Sequence, residues 1–561
     1  MNTLHHSVWP EGVPLHLELP DHSVAQNLIN TAARLPDHKA IIFHGFEITY
    51  AELLAQVEAM AGYLQQKCGV KKGDRVLLYA QNSPQFIIGF YAIMRANAAV
   101  IPVNPMNRHA ELEHLAKDTD ANVAIVGSEL LGFIQPLVAD GLLDHLIVGA
   151  YADMTDRDFD LPLPEPLGSL SESDCSGAGV TRWSEAIGAG LVPEALSVGL
   201  DDLALIPYSS GTTGQPKGCT HLHRSVQTTA IGGTTWQPVD HSSVHLSVLP
   251  FFHVTGMTNG MNGPIYVGGT IVVMTRWNRT LAARLIERYN ISRWRSISTM
   301  AIDLVNDPDF DSYDLSSLRA IGGGGAAMPE AVAHKLKAMT GLDYIEGYGL
   351  SETIAATHIN PTHKPKAQCL GIPVMDVDAR IISLEGDLRE LGPNETGEIV
   401  MNGPQVFEGY WNRPEATAEA FIELDGKRFF RTGDIAMYDD EGYFFMVDRV
   451  KRMINASGFK VWPAEVEALM HKCPEVDEVC IIGARDPRRG ETVKAYVVPA
   501  AAARAAATQE SIIAWCKTEM AAYKCPTAVE FVDELPKSGS GKVLWRELAE
   551  EDAARAAKAA K

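Results

Sequence analysis

Between residues 47 and 120 the apolar positions change period twice. Tyr50–Cys68 repeats them every three to four residues, Asp74–Ala80 is a short apolar run, and Pro84–Ala96 returns to the helical spacing. Helix, strand and helix in such close succession predict α/β layering with a largely parallel sheet. At 561 residues the chain exceeds what one hydrophobic core usually serves, so at least two domains are expected. A boundary reads near Asp448–Lys451, beyond which the pattern restarts. Helix Pro463–His471, strands Val479–Gly483 and Val493–Val498, helix Ser511–Met520 and strand Ala528–Val532 make a small α+β unit. The expected division is a large N-terminal domain, residues 1–450, of layered parallel or mixed sheets with helices, and a C-terminal domain, residues 451–561.

Charge is distributed unevenly between these parts. Residues 451–561 carry 17 Lys and Arg against 16 Asp and Glu, whereas residues 1–450 carry 31 against 54. A net charge of −22 argues against a nucleic-acid partner, since such a surface repels polyanions, and makes the C-terminal part the better receiver of an anionic cofactor. The eight cysteines form no C-x-x-C pair, and no His cluster has metal-ligand spacing, so reduced thiols in a cytoplasm are expected. No basic n-region precedes an apolar stretch, and no apolar run reaches the roughly 18–20 residues of a membrane span. This predicts a chain without a transmembrane segment and leaves peripheral membrane contact open. The acidic, Pro-, Gly- and Ser-rich residues 151–180 read as a surface insertion.

The segment YSSGTTGQPKG, Tyr208–Gly218, concentrates hydroxyls, small side chains and backbone N–H donors in one loop and adds the Lys217 cation. Such a loop suits polyphosphate oxygens. It lacks the spacing of a Walker A loop.

Seven further segments follow in order: PFFHVTGM (Pro250–Met257), GGGGAAMPE (Gly322–Glu330), GYGLSET (Gly347–Thr353), GEIVMNGPQVFEGYWNRPEAT (Gly397–Thr417), FRTGD (Phe430–Asp434), DRVKRMINASGFKVWPAEVE (Asp448–Glu467) and LPKSGSGKVLWREL (Leu535–Leu548). Together with the loop, they resemble the adenylate-forming superfamily of acyl-CoA synthetases, luciferase and peptide-synthetase adenylation domains, over roughly residues 25–548. The resemblance is greatest to the medium- and long-chain fatty acyl-CoA ligase branch. It departs from the usual pattern at Ser351 (commonly Thr), Ala327 and Ser298 (both commonly Pro).

The resemblance implies roles residue by residue. Ser209, Ser210, Gly211, Thr212, Thr213, Gly214 and Lys217 would hold the ATP phosphates. Glu352, beside Ser351, would hold Mg²⁺, a hard cation that takes carboxylate oxygens. Gly323, Gly324, Gly325, Ala326 and Ala327 would form a small-residue wall beside adenine and the substrate carboxylate, and Tyr348 and Gly349 would flank the adenine. Asp434 would accept from the ribose hydroxyls, with Arg449 nearby. Lys542 would bridge the α-phosphate and the substrate carboxylate, where a fixed ammonium offsets the meeting of two anions. Lys451 would be the hinge of a mobile C-terminal domain. Ser457, Gly458, Lys460 and Arg489 would meet coenzyme A, with Gly458 lining the pantetheine tunnel and Arg485 and Arg488 as further cations. His253 would gate that tunnel, and Trp236, Met257, Thr299 and Met300 would wall the acyl pocket with Gly323.

The implied reaction is ATP-dependent carboxylic acid:CoA ligation. Acid and MgATP give acyl-AMP and pyrophosphate; after domain rotation the coenzyme A thiol attacks and AMP leaves. The substrate is expected to be a fatty or other apolar small-molecule acid, with aryl, short-chain and thioether acids as alternatives. Three other readings stand beside it: amino-acid loading onto a carrier protein, which lacks an acid in His253–Met257; an acyl-AMP ligase; and a non-catalytic binding paralogue, which would be expected to have lost Lys542 or Glu352. A homodimer is the default for a soluble enzyme.

Overall fold

The computed structural model describes residues 3–209, 216–325, 327–384, 388–449, 452–456, 459–486, 490–501, 503–504, 506–537 and 543–559. They form two compact units. One comprises Met1–Ala379, Met401–Phe430 and Glu441–Tyr443; the other comprises Arg380–Val400, Arg431–Asp440 and Phe444–Lys561. Compact packing therefore groups two segments before residue 450 with the C-terminal residues, where the chain pattern alone draws one cut.

The first unit is built on two nine-stranded sheets. In one, six strands run parallel in the order Lys39–Phe43, Thr270–Val273, Val244–Ser247, Arg293–Ser296, Ala320–Gly324 and Tyr344–Leu350. Ala355–Ile359 and Ile372–Pro373 extend its far edge antiparallel. In the other, Leu203–Leu205, Ala99–Pro102, Arg75–Tyr79, Val123–Gly127, His145–Gly149 and Val180–Arg182 are parallel, and Lys217–Leu222 adds antiparallel to Leu203–Leu205. The central parallel strands are largely buried, as expected where helices cover a sheet.

Local chemistry sets the helices that the sequence predicts. Tyr50–Gln66 starts at a capping box in which Thr49 and Glu52 satisfy each other's backbone N–H groups. Pro84–Arg95 starts at the Ser83 side chain, with Pro84 where no N–H is needed. The segment 151–180 is less free than its composition predicts. Tyr151, Leu163, Leu167 and Cys175 are buried, and Asp160 pairs with Arg288 at 2.6 Å.

The second unit carries the sheet Phe459–Val461, Ile454–Ala456, Gly490–Pro499 and Val476–Asp486, with Ala528–Phe531 parallel to Gly490–Pro499. Helices Pro463–Met470 and Gln509–Glu519 contribute Val466, Met470, Ile512 and Cys516 to its core. Among the described residues no helix is long and apolar enough to cross a membrane.

Five buried histidines in the first unit respond to acid. Burial holds His5, His221 and His223 down to about 4, and His245 and His358 down to about 3. Below about pH 6.5 the unfolded chain takes up protons that the folded one refuses, so stability falls with pH from there toward 4, by on the order of 1–3 kcal/mol per histidine. We predict a urea midpoint for this unit that drops steadily between pH 6.5 and 4.5. A constant midpoint over that range would contradict burial of neutral imidazoles.

Candidate active site

Three of the quoted segments, PFFHVTGM, GGGGAAMPE and GYGLSET, come together because the parallel strands of the first sheet end at one edge. Ser296, Gly324 and Leu350 terminate neighbouring strands there, and Leu249–His253 follows the strand Val244–Ser247. The carboxyl edge of a parallel sheet is where ligands of α/β proteins bind. Two glycines of this edge have local structural reasons. A Cβ on Gly323 would lie 1.8 Å from the Ser296 carbonyl oxygen, and Gly325 has φ +89°. The small-residue wall is thus required first by strand packing.

Glu352 sits on the single turn Ser351–Thr353 that follows Tyr344–Leu350. Thr353 Oγ1 accepts from Leu350 N–H at 2.9 Å and donates to the Ala355 carbonyl at 2.9 Å. Ile354 and Ala355 then take φ of +46° and +100°, a strain that side chains with a Cβ accept only where the surroundings impose it. Those surroundings come partly from the second sheet. His221 Nε2–H donates to the Ser351 carbonyl at 2.7 Å, while its Nδ1 accepts from Ser225 Oγ at 3.2 Å. Tyr410 O–H donates to Glu352 Oε1 at 3.0 Å, and Phe407 N–H donates to the Glu352 carbonyl at 2.8 Å.

Lys217 reaches the same point. Its Nζ lies 4.9 Å from the Tyr410 ring centroid, so ammonium and carboxylate flank one phenol. Burial and then the Glu352 charge push the Tyr410 phenol far above its usual range, which keeps it a proton donor to the carboxylate. Ser209 pairs with Lys217 in a short antiparallel ladder that closes the base of residues 210–215. Asp118 anchors both sides of this base. It accepts from Tyr208 O–H at 2.6 Å and pairs with Arg413 at 2.9 Å, and its carbonyl accepts from Trp411 Nε1–H at 2.9 Å.

A half-buried carboxylate, a nearby ammonium and a loop base at one sheet edge fit a nucleotide's phosphates with a divalent cation. When bound, Mg²⁺ would supply charge neutralisation at phosphate oxygens, with Glu352 as the protein ligand. Ser210, Gly211, Thr212, Thr213, Gly214 and Ala326 lie outside the described residues.

The remaining expected residues of this unit have their own local settings. Tyr348 is buried with its ring 5.7 Å from that of His358, and Gly349 is pressed against the Ala355 carbonyl. His253 is exposed and caps the short helix Val254–Met257, held by Asn82, which accepts from Phe251 N–H and donates to the Leu249 carbonyl. Trp236 is buried against Trp9, Met257 lies in the main core, Met300 packs on the second hydrophobic cluster and Thr299 is exposed. None of these four lines the cavity found beside the Glu352 turn. That cavity is walled by Gly232 and Gly233 of helix His223–Trp236, by Ala355 and Ala356, and by Leu17 and Met375.

In the second unit Asp434 is buried and stands opposite Arg449 in the ladder between Lys427–Tyr438 and Phe444–Arg449. Its turn is fixed by Glu398, which accepts from Gly433 N–H and pairs with Arg431. Lys451, Ser457, Gly458, Arg489 and Lys542 lie outside the described residues, as do the side chains of Arg449 and Lys460. Lys537 and Val543, on either side of 538–542, form an antiparallel bridge.

Sequence reasoning missed Tyr410, His221 and Asp118. Tyr410 lies inside a quoted motif, but nothing local marks its partner. Removing its hydroxyl should loosen Glu352 without opening a hole. We predict that Tyr410→Phe raises the Mg²⁺ concentration for half-maximal adenylation about 10-fold while the fold persists; an unchanged requirement would show that Glu352 is held without it.

Comparison with known proteins agrees with this geometry. Residues 28–411 match the family model of AMP-binding enzymes, and residues 465–542 match the AMP-binding enzyme C-terminal domain. The long-chain-fatty-acid–CoA ligase of Bacillus subtilis (strain 168) is 33% identical over 97% of each chain. A feruloyl-CoA synthase of Amycolatopsis is also 33% identical, over 92% of this chain and 96% of that one. Among solved structures, ATP-bound MatB from Rhodopseudomonas palustris superposes with a TM-score of 0.81 at 25% identity, covering 94% of this chain and 98% of its own. A fatty acyl CoA synthetase of Mycobacterium tuberculosis gives 0.71 at 29%, covering 95% and 99%. With both family models matched in order over a shared fold and relatives aligned end to end, the chain belongs to the AMP-binding enzyme family, as an AMP-forming acid–CoA ligase that uses ATP and coenzyme A.

Proposed function

We propose that this ligase activates an apolar carboxylic acid, of fatty or aryl type, and that Lys542 and Glu352 carry the adenylation step. The observation behind the substrate class is the end-to-end likeness to ligases of apolar acids. The long-chain-fatty-acid–CoA ligase relatives support a fatty acid, and the feruloyl-CoA synthase relative supports an aryl one.

In the first half-reaction the substrate carboxylate oxygen attacks the α-phosphorus of ATP and pyrophosphate leaves. Lys217 and the loop 209–214 hold the phosphates, Glu352 holds the cation, and the Lys542 ammonium lies between the two reacting anions. Asp434 and Arg449 hold the ribose, with Tyr348, Gly349 and the Gly323–Ala326 wall about the base and carboxyl. In the second half-reaction the coenzyme A sulfur attacks the acyl carbon, the bond to AMP breaks, and AMP leaves as a stabilised phosphate. Residues 451–561 turn at Lys451 between the two, so that Ser457, Gly458, Lys460 and Arg489 replace Lys542, with His253 as the gate. The expected setting is the cytoplasm, with a homodimer and peripheral membrane contact as further expectations.

The test separates the half-reactions. Lys542→Ala should lower acid-dependent pyrophosphate release by about 100- to 1,000-fold, yet leave conversion of supplied acyl-AMP and coenzyme A to acyl-CoA near the parent rate. Equal loss of both would sink the proposed alternation, and equal retention would remove Lys542 from the chemistry.

A further inference from the structure

We infer that Arg295 is a specificity-determining residue that receives a second carboxylate on the acid. The preferred substrate then carries an apolar spacer between two carboxylates, rather than ending in a plain alkyl or aryl group. This rests on the ligase reading above and names its substrate class further.

Arg295 lies next to last on the strand Arg293–Ser296, which ends at the carboxyl edge of the first sheet. It is half-buried, and its hydrogen bond runs from Nη2–H to the neutral Gln237 Oε1, just past the helix His223–Trp236. Its Nε and Nη1 make no hydrogen bond and, unlike Arg293 Nε, are not sealed from solvent. Arg293, two residues back and so on the same face, donates Nη2–H to the Pro238 carbonyl at 3.0 Å. Among the described residues neither guanidinium has a carboxylate partner.

Other sunken arginines of the chain are paired: Arg95 with Glu58 at 2.7 Å, Arg380 with Glu390 at 3.1 Å, and Arg452 with Glu467. A guanidinium drawn out of water without a counter-charge is costly. Burial, and then the Arg293 charge, push Arg295 down to about 10. The surroundings supply no anion to it. His245, opposite Arg293 in the ladder, is buried and neutral. Asp240 attracts Arg293 without an ion pair and accepts from Ser242 Oγ at 2.6 Å. The buried Glu346, two strands away, alternates to the opposite face and accepts from Met328 N–H at 2.8 Å.

The ladder sets Arg295 opposite Gly322. A Cβ on Gly322 would lie 2.3 Å from the Ile345 carbonyl oxygen, so the strands require glycine there; it would also lie 2.9 Å from Arg295 Nη1, and its absence keeps that space clear. Gly322 leads directly into Gly323–Gly325, the wall that the ligase reading puts beside the reacting carboxylate. Gly324 is two residues along, roughly 7 Å of strand. An acid held by the wall therefore runs a short way to reach the guanidinium.

A guanidinium presents parallel N–H donors that match both oxygens of a carboxylate. A methyl or phenyl end would cover the cation without pairing it, which is how a polar site rejects the analogue lacking the group.

The experiment measures kcat/KM for pyrophosphate release with matched acids: straight-chain diacids from glutaric to sebacic against the monoacids of equal length, and benzenedicarboxylic acids against benzoic acid. Equilibrium binding of the same acids is measured by calorimetry alongside. Wild-type enzyme is expected to favour at least one diacid over its monoacid by about tenfold or more. Arg295→Leu should bring that ratio to about one, and Arg295→Lys, which retains a cation, should keep part of it. Wild-type preference for every monoacid over its diacid would overturn the inference without any variant, and would leave the guanidinium pair to a resident inorganic anion. A ratio retained in Arg295→Leu would also overturn it. Absence of pyrophosphate with every acid would strike the ligase reading, and calorimetry would then decide: diacid binding weakened about tenfold by Arg295→Leu supports the site, and equal binding of diacid and monoacid overturns it.

Discussion

Two hydrogen bonds from the second sheet hold the end of the first, and the active edge depends on them. His221 fixes the Ser351 carbonyl and Tyr410 fixes the Glu352 carboxylate, so the turn between them cannot relax its strained successors, Ile354 and Ala355. Without such clamps, two consecutive residues at positive φ would cost on the order of 1–3 kcal/mol each and drift to ordinary geometry. With them, one short turn presents a carboxylate on one side and a cavity wall on the other. The same five residues, Ser351–Ala355, therefore set both.

The same economy governs the phosphate side. Asp118 ties Tyr208, at the start of the Ser/Thr/Gly loop, to Trp411 and Arg413, just after Tyr410. Loop base and clamp thus share one anchor, and Lys217 is carried between them over the Tyr410 ring. The ammonium and the carboxylate are thus set on different parts of one phenol. Within the second unit the buried Asp434 has its turn fixed by Glu398 rather than by solvent-exposed contacts. The meeting of two anions at the α-phosphorus demands a further cation, and the family resemblance assigns that task to Lys542.

Much of this was legible in the sequence, for physical reasons. Elements with strong periodicity came out within one or two residues: Tyr50–Gln66 against Tyr50–Cys68, Arg75–Tyr79 against Asp74–Ala80, Gln509–Glu519 against Ser511–Met520. Capping and alternation are local, so they can be read locally. Glu352 was singled out through its motif, and its turn follows the strand Tyr344–Leu350. Tyr410, His221 and Asp118 were not, because each acts on a partner 58 to 293 residues away, and side-chain type alone does not announce a tertiary pairing. The cavity was least legible. Its walls are glycine, alanine, Leu17 from the N-terminal segment and Met375, which no local pattern marks. The segment 151–180 shows the converse, since a loop-like composition conceals four buried anchors.

The account turns on an acyl-adenylate that forms before coenzyme A takes part. Exchange of labelled pyrophosphate into ATP measures that step alone. The account predicts exchange that requires both a carboxylic acid and Mg²⁺ and proceeds with coenzyme A absent; acyl-CoA formation without any such exchange would contradict it.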